Sequence, residues 1–308
     1  MKILFFTGKG GVGKSTMAAA AAWQLSQRSR VLIVSLDPAH NLGDIFGVTI
    51  KNGKKKFTKT LFLSEVNLQK LSRAYLEQET SVLSNTYGYL KTLNLDTYFS
   101  ILKYSPGIEE YALLTSIEKT IRDEAGFEYV IFDTPPTGLT LRFLALPKVT
   151  ITWIERLMQI RRQILEKRYT IHRIRGTLSS EETILDYREE DDDIMKRLKK
   201  LHDNYHTLDR TLRGSDCHVV LVFNPDVLSL RESERLVEGL RELGLPLRLL
   251  INNKVTEANQ EMAERVEHRM QKAAGNVLLE RIQLSKTLLD GEKGTLYDIR
   301  ECVVPDSW

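Results

Sequence analysis

Cysteine is nearly missing from this chain: its 308 residues include two, Cys217 and Cys302, far apart and without a CxxC pair. That spacing excludes a disulfide framework and the paired ligands of a zinc or iron–sulfur site, so both thiols read as ordinary side chains. Long apolar runs are missing too. No stretch reaches the roughly 18 apolar residues that a membrane helix needs. The opening MKILFFTGKGG turns to glycine too early for a signal peptide. Charge of one sign is scarce: Lys and Arg number 44 against 41 Asp and Glu, a net +3, which predicts neither a nucleic acid nor a membrane surface as partner. There is no internal repeat and no Pro/Gly/Ser linker. The expectation is a soluble, cytoplasmic protein with no nucleic-acid partner and no zinc or cluster.

Hydrophobic residues make up 42% of the chain, enough for a sizeable core. Short apolar runs at 2–7, 31–36, 129–132, 218–224 and 247–252 are continuous rather than alternating. That pattern predicts parallel strands buried on both faces. Helical stretches at 15–28 and 230–243 lie between them, the second stopped by Gly244 and Pro246. The fold class is therefore α/β, a doubly wound, mostly parallel sheet. Residues 50–120 and 150–214 carry no convincing strand. They read as helical insertions into a single domain spanning 1–308, the first opening with the basic loop KNGKKKFTK.

Gly8, Lys9, Gly10, Gly11, Val12, Gly13, Lys14 and Ser15 satisfy GxxxxGK[ST] between a strand and a helix. Glycines at these positions let successive N–H groups turn inward to phosphate oxygens, and the helix opening at Lys14, Ser15 and Thr16 adds its positive end. Lys14 is expected to reach the β- and γ-phosphates, and the Ser15 hydroxyl to ligate Mg²⁺. The same glycines also spell GxGxxG, with Asp37 near the end of the next strand, as in a dinucleotide site. Two features favour the Mg-nucleotide reading. Lys14-Ser15 follows the last glycine at once, and the strand at 129–132 ends in Asp133, where such folds carry an acid for the Mg²⁺ shell.

Lys9, two residues into the loop, resembles the deviant Walker A lysine of the family holding the MinD, ParA and nitrogenase iron proteins. The stretches DPAHNLGD (37–44) and DTPPTGLTLR (133–142) closely resemble the two switch regions of the arsenite-pump ATPases and the related tail-anchored-protein targeting ATPases. Asn224-Pro225 and Ile251-Asn252-Asn253 are similar to that family's adenine-side segments. The resemblance implies an ATPase acting as a nucleotide-switched homodimer, with ATP and Mg²⁺ bound. In it Asp37 orients the attacking water, Lys9 crosses to the partner's phosphates, and Asn224, Pro225 and Asn252 face the adenine. Read by themselves, Asp37 also suits a turn, Lys9 a solvated loop and Asn252 a strand-end cap.

The resemblance leaves the cargo open between an energised membrane partner, a chaperone-like targeting factor with a protein client, and a slow regulatory switch. The family pattern has Ala where Pro135 stands and His where Leu139 stands. Neither the targeting factors' zinc clasp nor a three-thiolate arsenite site is present. In the second insertion, 155–175 is rich in Arg and Lys and 181–193 in Asp and Glu. This predicts a basic helix, a break at Gly176, a capping box of Ser179 with Glu182, and an acidic helix. The pair is either an antiparallel hairpin meeting a partner or two solvated helices.

Overall fold

The computed structural model describes residues 1–38, 41–50, 53–86, 105–175 and 187–284. Ala39 and His40 of the first switch-like stretch lie outside them, as do Gly176, Ser179, Glu182 and Cys302. The chain forms two compact units, one of residues 1–144 and 213–308 and one of residues 145–212.

The first unit is built on an eight-stranded sheet. Its strands are β1 (Lys2–Thr7), β2 (Val31–Ser35), β3 (Gly53–Lys56), β4 (Leu61–Glu65), β5 (Tyr129–Asp133), β6 (Cys217–Phe223), β7 (Leu247–Val255) and β8 (Leu278–Gln283). They lie in the order β3-β4-β2-β5-β1-β6-β7-β8. All neighbours are parallel except β3, which runs antiparallel to β4. The apolar runs of the sequence form the central strands, where Phe5 and Phe132 stack at 4.9 Å. Helix α1 (Lys14–Ser26) packs on them through Ala18, Ala19, Ala20, Ala21 and Ala22, all fully buried. Side chains no larger than a methyl let the helix backbone approach the sheet closely.

Residues 50–120 are not a purely helical insertion. They supply β3 and β4, followed by α3 (Leu68–Thr86), and α4 (Ile108–Asp123) comes next among the described residues. Gly53–Lys56 of the basic KNGKKKFTK segment form edge strand β3, and lysines suit an edge because they oppose pairing with another sheet. Lys54 is held by Glu124 at 2.7 Å. Strand β8 was also unanticipated; its side chains are only partly buried, so it lacks the apolar run that marks the centre.

Helix α2 (Asn41–Phe46) follows β2, and α5 (Thr137–Arg175) follows β5 and continues into the second unit. Then come α6 (Asp193–Arg213), α7 (Val227–Leu243) and α8 (Gln260–Ala274). Helix α7 stops as the sequence predicts. Gly244 is left-handed (φ 66), and the Leu245 amide donates back to the Leu240 carbonyl. The acidic segment after α5 departs from expectation: Glu189, Glu190 and Asp191 form a turn, and helix begins only at Asp193. Carboxylates crowded along one helix would repel. In the turn they meet α5 instead, Asp192 through Arg161 at 3.0 Å and Glu189 through Arg162 at 3.0 Å. Among the described residues no helix is long and apolar enough to cross a membrane.

Candidate functional site

The glycine-rich loop joins the C-terminal end of β1 to the start of α1. Gly8, Gly11 and Gly13 have φ of 150°, 79° and 98°, and two of them admit no side chain. A Cβ on Gly8 would stand 2.1 Å from the Val222 carbonyl oxygen, and one on Gly13 would stand 2.4 Å from Asn253 Nδ2. Helix α1 opens from Gly13 with no side-chain cap and no acid in its first turn. The amides of Lys14, Ser15 and Thr16 are thus first-turn donors without an intrahelical acceptor.

Two residues strap the loop from β7. Asn253 Nδ2 donates to the Val12 carbonyl at 2.8 Å, and Lys254 Nζ to the Gly11 carbonyl at 2.6 Å. The β7–β8 register slips between Asn252 and Val255, and Lys254 takes a left-handed backbone (φ 61). A bulge of this kind re-aims successive side chains. With its carbonyls tied outward, the loop is left to present its N–H groups. Asn253 entered the sequence reading only as part of an adenine-side stretch, and Lys254 was not anticipated as a site residue.

Lys14 is 5% exposed, and its Nζ donates to the Lys9 carbonyl at 3.3 Å. Burial pulls its ammonium pKa down, opposed by the charges of Asp133 and then Asp37. Asp133 is fully buried at the end of β5, opposite Phe6 of β1 and Ser35 of β2. Burial pushes its carboxyl up to about 7, and the Asp37 charge adds to the rise. Ser15, Lys14 and Ser35 lie close enough to favour its charged form. Even so, neither Asp133 oxygen meets a donor at bonding geometry, and the Thr7 and Ser35 hydroxyls are likewise buried without a partner. Hard oxygens of this kind, a carboxylate with adjacent hydroxyls, are what Mg²⁺ takes directly or through water. Ser15 and Asp133 therefore fit the metal that the loop implies. Asp37 and Lys9 are half-buried at the mouth of the same loop region.

Two more orphaned atoms continue the row, Asn224 Oδ1 just past β6 and Asn252 Oδ1 on β7. These strands are neighbours, with Phe223 opposite Asn252. Asn252 Nδ2 donates to Glu267 Oε1 at 2.7 Å, and Arg281 grips the same carboxylate at 2.9 and 2.6 Å. A carboxylate only accepts, so it fixes which end of the amide faces it and leaves the Asn252 oxygen free for a donor. Pro225 is buried beside this pair, and Asp226 caps α7 by accepting from the Ser229 amide. On the second switch-like stretch, the Thr140 hydroxyl donates to Thr134 (3.0 Å), and Thr134 donates to the Phe6 carbonyl (2.9 Å). This chain of bonds pins the start of α5 to β1. Leu139 and Pro135 take no part in it through their side chains.

Thr7, Ser35 and Asp133 end β1, β2 and β5, Asn224 follows β6, and Asn252 stands opposite the last residue of β6, so these atoms share the edge where open α/β sheets bind ligands. Comparison with known proteins finds related chains. The family model described as Anion-transporting ATPase matches residues 1–283. The protein named arsenical pump-driving ATPase 2 of Aquifex aeolicus is 30% identical over 261 residues, 84% of this chain and 82% of that one. The arsenical pump-driving ATPase 1 of the same organism is 30% identical over 83% of this chain and 63% of its own length. ATPase get3 of Pyrenophora tritici-repentis is 27% identical over 85% of this chain and 76% of its own.

Proposed function

This chain belongs to the anion-transporting ATPase family, and from that premise we propose that it hydrolyses ATP to ADP and phosphate at the glycine-rich loop. On this reading it is a homodimeric switch coupled to a membrane or protein partner. The observation that carries the reading is the row of orphaned polar atoms at the strand ends, aligned with an uncapped helix and a buried lysine. The uncapped helix start and Lys14 suit a polyanion at one end, the Asp133 oxygens a cation beside it, and the Asn224 and Asn252 oxygens a hydrogen-bond donor such as a base amine at the other.

The roles follow from chemistry. Amides of the loop and of Lys14, Ser15 and Thr16 bind phosphate oxygens, while Asn253 and Lys254 hold the loop in the receiving shape. Lys14, whose charge burial disfavours, regains a strong anionic partner when phosphate arrives. Ser15 and Asp133 would hold Mg²⁺, directly or through water, and the ion would supply charge neutralisation to the bound phosphates. Asp37 accepts a hydrogen bond from the attacking water and orients it. The Asn252 oxygen accepts from the exocyclic amine of adenine, with Asn224 and Pro225 lining the base. Lys9 reaches the phosphates of a second copy, a role its half-exposed position permits.

The partner reading draws on the arsenical pump-driving relatives. The targeting reading draws on ATPase get3 and on the exposed apolar side chains of α5, among them Trp153, Leu157 and Ile160, although Met195 is buried. The pump-type reading is put first because the two arsenical pump-driving relatives are each 30% identical, against 27% for get3. The test is ATP binding by Lys14→Ala, followed calorimetrically. Loss of a charged phosphate contact is expected to weaken binding by about tenfold or more, and unchanged affinity overturns the assignment.

A further inference from the structure

Asp37, to which the proposed hydrolysis gives the attacking water, lies between two anchors on the strands that flank β2. The first is immediate: the Leu36 amide donates to the carbonyl of Asp133, at the end of β5, at 2.8 Å. The second lies beyond it in α2, where the Gly43 amide donates to Oε1 of Glu65, at the end of β4, at 2.9 Å. Gly43 stands in the first turn of this six-residue helix, so its amide has no acceptor within the helix. A Cβ on Gly43 would stand 2.8 Å from the Val48 carbonyl oxygen. The chain folds back there onto bare backbone, and the Val48 amide donates to the Gly43 carbonyl at 2.9 Å.

Glu65 and Asp133 are the last residues of β4 and β5, and both stand opposite Ser35 at the end of β2. One sheet edge therefore carries two carboxylates, and their surroundings divide them. Neither oxygen of Asp133 meets a donor at bonding geometry, which suits a metal ion. An oxygen of Glu65 is engaged by backbone instead. A carboxylate accepting from an orphan amide at a helix start makes a charge-assisted bond, roughly twice as strong as a neutral one.

We infer that Glu65 is a positioning residue for hydrolysis. It fixes the far end of the segment that carries Asp37, and through Asp37 the place of the water, so the inference rests on the role proposed for Asp37. The remainder of α2 is held by apolar packing: Leu42 is fully buried, and Phe46 meets Phe57 edge to face at 5.0 Å. Losing the Glu65 bond therefore leaves the helix packed and loosens the backbone leading back to Asp37. Misplacing a reacting group by about 1 Å costs up to about a hundredfold in rate. The groups proposed to bind ATP come from the glycine-rich loop after β1 and from β5, β6 and β7, and β2 lies between all of these strands and β4. Turnover is the quantity Glu65 governs, and affinity is not.

The test compares Glu65→Gln with Glu65→Asp in the full-length protein, by steady-state ATP hydrolysis and by calorimetric ATP affinity with Mg²⁺. Glutamine keeps an acceptor oxygen at the same reach without the charge. Aspartate keeps the charge but falls short by one carbon–carbon bond, about 1.5 Å. Glu65→Gln is expected to hold kcat within about threefold of the parent, since a neutral bond replaces a charged one. Glu65→Asp is expected to lower kcat by about tenfold or more, and both variants keep the parent's ATP affinity. A parent-like kcat in Glu65→Asp overturns the positioning role, as does an equal fall in Glu65→Gln, which would make the charge the working property. ATP affinity that drops together with kcat in Glu65→Asp assigns the residue to binding or to the fold, and overturns it too. Asp37→Asn, measured alongside, separates these failures from that of the underlying reading: it is expected to lose turnover, and a parent-like kcat there overturns the role of Asp37 and this inference with it.

Discussion

Replacing Asp133 with Asn separates the cost of holding a buried carboxylate from its use. In the nucleotide-free protein, burial moves this carboxyl from 3.8 to about 7, a displacement equivalent to about 4 kcal/mol. The sign follows from proton counts. Below pH 3.8 the group is protonated whether folded or unfolded and contributes no difference. Between 3.8 and about 7 the folded chain holds a proton that the unfolded chain has released, so stability falls as pH rises. Above about 7 the whole penalty is present. From about pH 5 to about pH 8 the parent protein should therefore lose about 3 kcal/mol through this group, and Asp133→Asn should not. The substitution also removes the anion that most supports the Lys14 ammonium. Urea unfolding of both nucleotide-free proteins across that window measures the slopes. A second arm compares ATP with Mg²⁺ against ATP with chelator. Extra stabilisation by Mg²⁺ is expected in the parent and not in the variant. Equal pH slopes in the two proteins refute the buried-carboxyl reasoning.

Gly13→Ala combines a left-handed backbone with a Cβ 2.4 Å from Asn253 Nδ2; ATP affinity is expected to fall about ten- to hundredfold by calorimetry, for strain of about 1–3 kcal/mol. Asn253→Ala leaves the loop glycines untouched but removes a buried bond worth about 1–3 kcal/mol, so its ATP affinity should fall with no change in the ATP-to-GTP ratio. Glu267→Gln frees the Asn252 amide to turn, because a glutamine side chain can also donate; the preference for ATP over GTP should shrink by about tenfold in competition binding, and an unaltered preference refutes the orienting role. Lys9→Ala should spare ATP binding yet lower turnover by about 10³. Mixing it with Asp37→Asn subunits should restore part of the activity if Lys9 serves the partner's site, and strictly additive loss rules that out.

Local pattern alone carried the central strands, the glycine loop with its helix, and the acid at the end of β5. In each case the physical demand lies within a few consecutive residues: burial on both faces of a parallel strand, a backbone turn open only to glycine, an uncapped helix start. The resemblance in the switch-like stretches rested on equally local words. The edges were harder to read, because Lys54, Lys55 and Lys56 suit a solvated loop as well as an edge strand, and β8 buries too little to leave an apolar run. Likewise the acids of 189–192 suit a helix by propensity, and only the arginines of α5 across from them make a turn the better arrangement.

What tertiary structure alone decided is which distant groups meet. Asn253 and Lys254 reach the loop because β7 slips register at that point, and no periodicity in the sequence announces a bulge. Glu267 orients Asn252, and Arg281 holds Glu267, across separations of 15 and 14 residues set by the β7–α8–β8 crossover. The sequence by itself determined that a glycine-rich turn opening an uncapped helix stands at the mouth of a parallel sheet, since that requirement is local. The straps that shape the turn, and the amide left facing outward beside it, depend on long-range packing, and hydrogen bonds between distant residues leave no mark on either partner's neighbours in the chain.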